Sequence, residues 1–473
     1  MRTTQVLVAG QLVSTSKQLQ VLSPYSGEVV TELHLAGTEE LETAVAAAHR
    51  AAPVMRHMPT HARAAILERV CKVLEAHTDE LTQVLVDEAA KPYRLALGEV
   101  RRCVQTFQNA AEECKRLSEG EGVGIDSVEA GEGRVGLIRY FGAGPVLAIS
   151  PFNFPLNLSA HKVAPAIAAG CPVVLKPASQ TPTAGVLLGQ YLVEAGLPPE
   201  AISVLPAPRA VADALVEDPR FKVLSFTGSP TVGWDLKARA GEKKVVLELG
   251  GNAAALVDPS ANLEEAVDRL AKGAFAYAGQ VCISVQRVYV QREVYPDFLR
   301  RLVDYTKAMP AGDPNHRELL VSAMIDGWNA ERVVGWVQEA VADGATLHCG
   351  GTREGNLVAP TVLSDVPRDA KIAAQEAFGP VVIVAPFDTW EEGLAAVNDS
   401  VYGLQAGVFT QDIRRIWQAF EALEVGAVIH NDYPTFRVDQ MPYGGVKSSG
   451  FGREGLRWSI RDMSEERLLV LRP

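Results

Sequence analysis

Between residues 38 and 118 apolar positions recur every three or four residues, the period of amphipathic helices that bury one face. The first such stretch, "TEELETAVAAAHRAA", opens on Thr38 as the expected N-cap, with acidic residues in the first turn. "HARAAILERVCKVLEAHTDELTQVLVDEAAK" keeps the pattern as far as Pro92. Over residues 119–142 the character changes. In "GVGIDSVEAGEGRVGLIRYFG" glycines punctuate short alternating runs, which predicts an extended hairpin arm outside any core.

From residue 145 strands and helices alternate. "PVLAIS", "PVVLKP", "AISVLP", "FKVLSF" and "KKVVLELG" read as strands, and "HKVAPAIAAG" and "TAGVLLGQYLVEAG" as helices between them. That order predicts a parallel sheet with helices on both faces. A second alternating series starts near residue 253 and runs through "PVVIVAPF", "QAGVFT" and "GAVIHN"; "MSEERLLVL" is a last strand. The pattern shows no tandem repeat and no low-complexity segment. It amounts to an α/β fold of two domains and an arm.

Length permits this, since 473 residues suffice for two or three domains and a deep cleft. The net charge of -12 argues against nucleic acid as a partner, because a phosphate backbone demands a basic face. A pocket inside an acidic protein can still be locally positive. Six cysteines without a C-x-x-C pair read as reduced thiols of a cytoplasmic protein, with no metal site expected. The start, "MRTTQVLVAGQLVSTSKQ", lacks the apolar centre of a signal peptide. The most apolar run, "APAIAAGCPVVL", is broken by Gly170 and Pro172 and falls short of the roughly 18 residues of a membrane span.

One cysteine stands apart by position. Cys71, Cys103, Cys114, Cys171 and Cys349 lie in or beside apolar periodic segments, as small buried hydrophobes do. Cys282, in "GQVCIS", follows a glycine turn and precedes the run "VQRVYV", at a helix-to-strand junction that can face a cleft. A thiolate nucleophile needs a base and a group to hold the oxyanion formed at a carbonyl. "VVLELGG" places Glu248 in an apolar strand, where desolvation would raise its pKa into the range of a useful base; an ion-paired strand end is the alternative. "SPFNFPLN" fixes Asn153 between prolines and phenylalanines, as an amide donor or an ordinary turn residue.

With "FTGSPTVG", "EAFGPVV" and "MPYGGVKSSGFGREG", these stretches follow one another as they do in the aldehyde dehydrogenase superfamily, which the chain resembles over nearly its whole length. The resemblance implies a Rossmann-like cofactor domain over residues 1–118 and 143–250. It implies a catalytic domain over 251–452, and an oligomerisation arm and tail at 119–142 and 453–473. It implies that Cys282 attacks an aldehyde to give a thiohemiacetal and that Asn153 holds the oxyanion, with the Cys282 N–H as second donor. After hydride leaves to nicotinamide, Glu248 would activate water against the thioester. The partners so implied are a small aldehyde and other copies of the chain, as a homodimer or homotetramer.

For the cofactor, the resemblance places Lys176 at the adenosine ribose and Gly228 and Ser229 at the pyrophosphate. Glu376 falls at the nicotinamide ribose, with Phe378 packed nearby. The G-x-G-x-x-G fingerprint is missing, as this family's different cofactor motif requires. NAD-preferring members often carry glutamate three residues after the lysine. Here that residue is Ser179, which would not repel a 2′-phosphate, and "VLPAPRA" brings Arg209 into the neighbourhood. Both features point to NADP+ being accepted beside NAD+.

Phe154, His161, Ser284, Arg437 and Tyr443 match positions that line the aldehyde tunnel in relatives. Arg437 stands where enzymes for alkyl aldehydes often have an aromatic ring, which points to a carboxylated, phosphorylated or hydroxylated substrate. A surface ion pair with Asp432 or Asp439 is the alternative. Val281 replaces the arginine that phosphate-handling relatives carry before the nucleophile. This favours a short polar or carboxylated aldehyde, lactaldehyde-like or succinate-semialdehyde-like. Two other chemistries fit a lone cysteine. A hydrolase or acyltransferase would need a histidine base, with His161 nearest, and CoA-acylating relatives commonly lack the glutamate that "LELGG" supplies.

Overall fold

The computed structural model describes residues 1–117 and 120–473, so the boundary drawn above between 118 and 119 lies outside the described residues. Four helices, Thr38–His57, Thr60–Ala76, Thr78–Ala89 and Tyr93–Arg116, fill the first periodic region. The first is capped differently from expectation. Gly37 is the N-cap and donates its N–H to Glu40 Oε2 at 2.7 Å, so Thr38 is already inside the helix. Glycine has no side-chain acceptor to offer, and the glutamate in the first turn supplies one instead.

Eight strands form the first sheet, in the order Gly450–Phe451, Lys244–Glu248, Val223–Thr227, Val146–Ile149, Val173–Lys176, Ile202–Val204, Val6–Val8, Gln11–Val13. The five from Lys244–Glu248 to Ile202–Val204 are parallel, and their neighbours at both ends run antiparallel. Alternate residues of one strand serve opposite cores: Val146 and Ala148 pack with the helices of one face, Leu147 with those of the other. Both faces being covered explains why these strands are continuous apolar runs.

The second sheet has the order Thr346–Cys349, Thr361–Ser364, Val381–Phe387, Val285–Gln291, Ala253–Val257, Gln405–Phe409, Ala427–His430, parallel except for its first pair. Here too Ala255 and Val257 face one core and Ala254 and Leu256 the other. A small sheet of Arg2–Thr4, Val29–His34 and Gln18–Leu22 covers the amino-terminal side, and the periodicity reading did not anticipate it.

The arm forms as expected, with Glu121–Val123 antiparallel to Val135–Gly142. The tail strand Ser464–Leu471 pairs along the whole of Val135–Gly142 within the same chain. The segment 453–473 is therefore not one unit. Its helix Leu456–Asp462 buries Leu456 and Ile460 in the first core, and only the final strand joins the arm. No helix among the described residues is long and apolar enough to cross a membrane.

Candidate active site

The segment leading to Cys282 is a forced reversal. Helix Leu263–Phe275 stops, and Tyr277 and Ala278 take left-handed backbone angles, φ 54° and 52°. Gly279 follows at φ 67°, and a Cβ there would stand 2.2 Å from Gly379 O, so only glycine fits. Such strain persists where the surroundings hold it, and Tyr277 is 1% exposed. The reversal sets Cys282 immediately before strand Val285–Gln291.

The Cys282 Sγ lies 3.0 Å from the Tyr443 hydroxyl, and either group can donate. Burial pushes the thiol up to about 12, although the Tyr443 hydrogen bond and the Arg437 charge pull the other way. Glu248, at the end of its strand, is 2% exposed, and neither carboxylate oxygen has a hydrogen-bond partner. The ion-paired alternative is thus excluded among the described residues. Burial first, then Glu454, raises its pKa well above the carboxylate range, while Arg437, Lys162 and Arg453 oppose. Gly444 makes room: a Cβ on it would lie 3.0 Å from Glu248 Oε1.

Behind these groups runs a buried charge network. Lys162 Nζ donates to Glu454 Oε1 (3.0 Å), Thr227 Oγ1 (2.7 Å) and Ser225 Oγ (3.3 Å). Arg437 Nη2 donates to Glu454 Oε2 at 3.0 Å. Glu454 resists its own burial because Lys162 and Arg437 face it, which lowers its pKa to about 2. Arg437 therefore pairs with neither Asp432 nor Asp439, and it is no surface residue: its side chain is 8% exposed. Its guanidinium stacks 3.7 Å above the centre of the Tyr443 ring, and its Nε finds no partner.

On the other side of Arg437 stands His161. Its Nε2 donates to Asp439 Oδ1 at 2.8 Å, and its Nδ1 lies 3.4 Å from Arg437 Nη2. Burial, then Arg437, lowers its pKa, so the ring is neutral with Nδ1 as acceptor. Both ring nitrogens are committed, which leaves none to serve Cys282 as a hydrolase would need. Asp439 also takes Arg102 Nη2 at 2.7 Å. The Ser284 hydroxyl lies 3.2 Å from the carbonyls of Gly273 and of Ala274, either of which can accept its one proton.

Asn153 is 4% exposed and its Nδ2 donates to Gln280 O at 2.9 Å. An amide has two N–H groups, so the second is free for an oxyanion. Phe154 meets Tyr277 edge-on, at 6.3 Å between ring centres. Lys91 Nζ donates to Asn153 O (2.8 Å) and Glu99 Oε2 (2.5 Å).

The residues expected to hold a cofactor lie at strand ends of the first sheet and in loops of both sheets. Lys176 ends its strand half-buried, with one weak hydrogen bond, 3.4 Å, to Pro177 O. Burial lowers its pKa, partly offset by Asp213. Ser179 is half-buried beside it in sequence. Gly228 and Ser229 precede helix Pro230–Arg239, with Ser229 as N-cap, and a Cβ on Gly228 would strike the Phe226 ring at 2.5 Å. Glu376 Oε1 accepts the Gly251 N–H at 2.9 Å, and burial lifts its pKa to about 7. Phe378, at φ 45°, sets its ring edge against Phe152. Arg209 is exposed at the start of the four-residue helix Arg209–Ala212, 3.8 Å from Asp213. A half-buried ammonium without a bonded carboxylate, a helix N-terminus with no side-chain cap and a half-buried carboxyl fit a dinucleotide.

The sequence reading missed Lys91, Glu99, Lys162 and Glu454. One signal was available: Lys162 is the one permanent charge in the mostly apolar helix Asn157–Ala169. Glu454 lies within the stretch "MPYGGVKSSGFGREG" but was not singled out there, and nothing local marks Lys91.

Two sheets with helices on both faces, meeting at a half-buried thiol and a buried carboxyl, are the architecture of an α/β enzyme. The sequence profile of the Aldehyde dehydrogenase family matches residues 12–469. The chain is 41% identical to the 3-sulfolactaldehyde dehydrogenase of Priestia megaterium over 465 residues, covering 98% of this chain and 97% of that one. The crystal structure of aldehyde dehydrogenase 21 from Physcomitrella patens, in complex with the reaction product succinate, superposes with a TM-score of 0.97. It is 43% identical, with 100% of this chain and 98% of that one covered. The NADP-dependent glyceraldehyde-3-phosphate dehydrogenase of Bacillus halodurans, complexed with NADP, gives 0.96 at 34% identity, with 99% of each chain covered. The chain belongs to the aldehyde dehydrogenase family: it is an oxidoreductase that acts on the aldehyde group with NAD or NADP as acceptor.

Proposed function

We propose that the chain oxidises a short aldehyde bearing a compact anion, a carboxylate or a sulfonate, to the corresponding acid. The observation that carries this is Arg437: a buried guanidinium with an unpartnered Nε, stacked on the ring whose hydroxyl touches Cys282. It is separated from the thiol by one tyrosine ring and one hydrogen bond, so the anion it receives lies only a few bonds from the carbonyl. Burial disfavours its charge, but Glu454, Tyr443, Glu248 and Asp439 more than restore it. The relatives named for sulfolactaldehyde and for succinate as product support the same reading.

In the reaction, Cys282 adds to the carbonyl carbon, and the free N–H of Asn153 and the Cys282 N–H hold the oxyanion. Two neutral N–H donors stabilise that charge without protonating it, so the tetrahedral centre can collapse. Nicotinamide, when bound, would supply the acceptor for the hydride. Glu248, unpartnered and of raised pKa, then takes a proton from water as it attacks the thioester. Lys176, Ser179, Gly228, Ser229, Glu376, Phe378 and Arg209 would hold the cofactor. Residues 1–118 and 143–250 would form its domain and 251–452 the catalytic one. We place the protein in the cytoplasm as a homodimer or homotetramer, with the exposed Leu468–Leu471 edge as the contact.

The test is an aldehyde panel with both cofactors. Succinate semialdehyde and 3-sulfolactaldehyde should exceed butanal in kcat/KM by about 100-fold or more, corresponding to roughly 3 kcal/mol. Arg437→Gln should remove most of that preference through KM. Equal efficiency with butanal would refute the assignment.

A further inference from the structure

Lys91 is wholly buried beneath the site, in the link between helices Thr78–Ala89 and Tyr93–Arg116. Its ammonium reaches two loops at once. On one side it donates to the backbone oxygen of Asn153 and stands 3.4 Å from the centre of the Phe154 ring. On the other it stands 4.7 Å from the centre of the Tyr277 ring, in the strained turn that leads to Cys282. Its partner Glu99 continues the clamp: Glu99 Oε1 accepts the N–H groups of Leu156 and Asn157 at 2.9 and 3.0 Å, where helix Asn157–Ala169 begins.

A buried Lys–Glu pair adds little stability over apolar residues of equal volume, because desolvation offsets the attraction. Burial in fact pulls Lys91 down to about 8, with Glu99 opposing. Stability does not explain a cation here, whereas its contacts do. Asn153 is gripped at both ends, its carbonyl by Lys91 and its amide by Gln280 O, so its free N–H has one direction left.

We propose that Lys91 is a positioning residue for the oxyanion donor: by binding Asn153 O and seating between the Phe154 and Tyr277 rings, it fixes the Asn153 amide relative to Cys282. This rests on Asn153 serving as that donor.

The test is a double-mutant cycle read by the single-turnover burst of reduced nicotinamide, with cofactor and succinate semialdehyde saturating. Lys91→Met should slow the burst about tenfold or more, as small misplacements of aligned groups do. Both KM values should stay within about twofold, and so should alkylation of Cys282 by iodoacetamide, which forms no oxyanion. In an Asn153→Ala background the same change should add less than about twofold, because the group being positioned is gone. Lys91→Met strands the Glu99 carboxylate, so Lys91→Met/Glu99→Gln is measured beside it. With a neutral core, it should show the same slow burst in a protein that melts near wild type. A wild-type burst in either variant, or a fully additive loss in the Asn153→Ala background, overturns the positioning role. If Asn153→Ala loses the burst and Lys91→Met keeps it, the oxyanion donor stands and only Lys91 falls. If Asn153→Ala itself keeps the burst, both readings fail.

Discussion

The Tyr443 hydroxyl touches the sulfur of Cys282, at 3.0 Å, while the same ring carries the Arg437 guanidinium on its face. One side chain therefore couples the thiol to the charge that we assign to substrate binding. The hydroxyl acts against burial, which alone would keep the thiol protonated far above neutrality.

Tyr443→Phe keeps the ring under Arg437 and removes only the hydroxyl. The hydrogen bond lowers the Cys282 pKa, so its loss must raise it and shrink the thiolate fraction at any pH below it. Alkylation by iodoacetamide should slow about fivefold, the equivalent of roughly 1 kcal/mol for one hydrogen bond. With the thiol near 12, the wild-type rate should climb steadily with pH through the neutral and mildly alkaline range. A plateau below about pH 9 would show that the resting thiol is already ionised.

Glu248→Gln separates the two covalent steps. The neutral amide cannot take a proton from water, yet it leaves Cys282 and Asn153 in place. A stoichiometric burst of reduced cofactor should appear, followed by a stalled thioester, with steady-state turnover down at least about 100-fold. Cys282→Ala should abolish the burst as well. An unchanged steady-state rate in Glu248→Gln would remove the glutamate from this role.

Ser179→Glu introduces a carboxylate beside the place proposed for the 2′-phosphate. Like charges at close range repel, and the new side chain could accept hydrogen bonds from a ribose diol. Efficiency with NADP+ should fall about tenfold or more, roughly 1.4 kcal/mol, with NAD+ use equal or improved. Arg209→Ala should weaken NADP+ alone, and by less, since Arg209 is exposed and engaged with Asp213. A ratio of the two efficiencies that Ser179→Glu leaves unmoved would place the 2′-phosphate elsewhere.

Removing residues 464–473 strips the strand that pairs with Val135–Gly142 from Gly142 to Val135 and bares its edge. The lost strand also presents Leu468, Leu469, Val470 and Leu471, each 44% to 55% exposed, as an apolar edge for another copy. Sedimentation should show monomer or aggregate in place of the wild-type assembly. A truncated chain that keeps the wild-type oligomer excludes the tail as the contact.

Much of this was written in local pattern. The helical run ending at Pro92, the apolar strands of both sheets and the arm strands Glu121–Val123 and Val135–Gly142 follow from spacings of two to four residues, because a side chain's face is set by its neighbours' periodicity. Cys282, Glu248 and Asn153 stood out as candidates against an apolar or turn-rich surround. Local pattern left Glu248 open as an ion-paired strand end and Asn153 as an ordinary turn residue, and their roles came from the family resemblance. What local pattern cannot encode is the choice of partner across the chain. Arg437 could have paired with nearby Asp432 or Asp439. Packing instead buries it against Glu454 and gives Asp439 to Arg102, 337 residues away. The segment 453–473, expected to join the arm as an oligomerisation unit, divides because Leu456 and Ile460 are buried in a core with the helices of the first sheet while Ser464–Leu471 pairs with the arm. Lys91 carries no mark in its own neighbourhood. Its meaning comes from Asn153 O and two rings brought to it by distant segments, and a buried ammonium is tolerated only where such contacts replace its water.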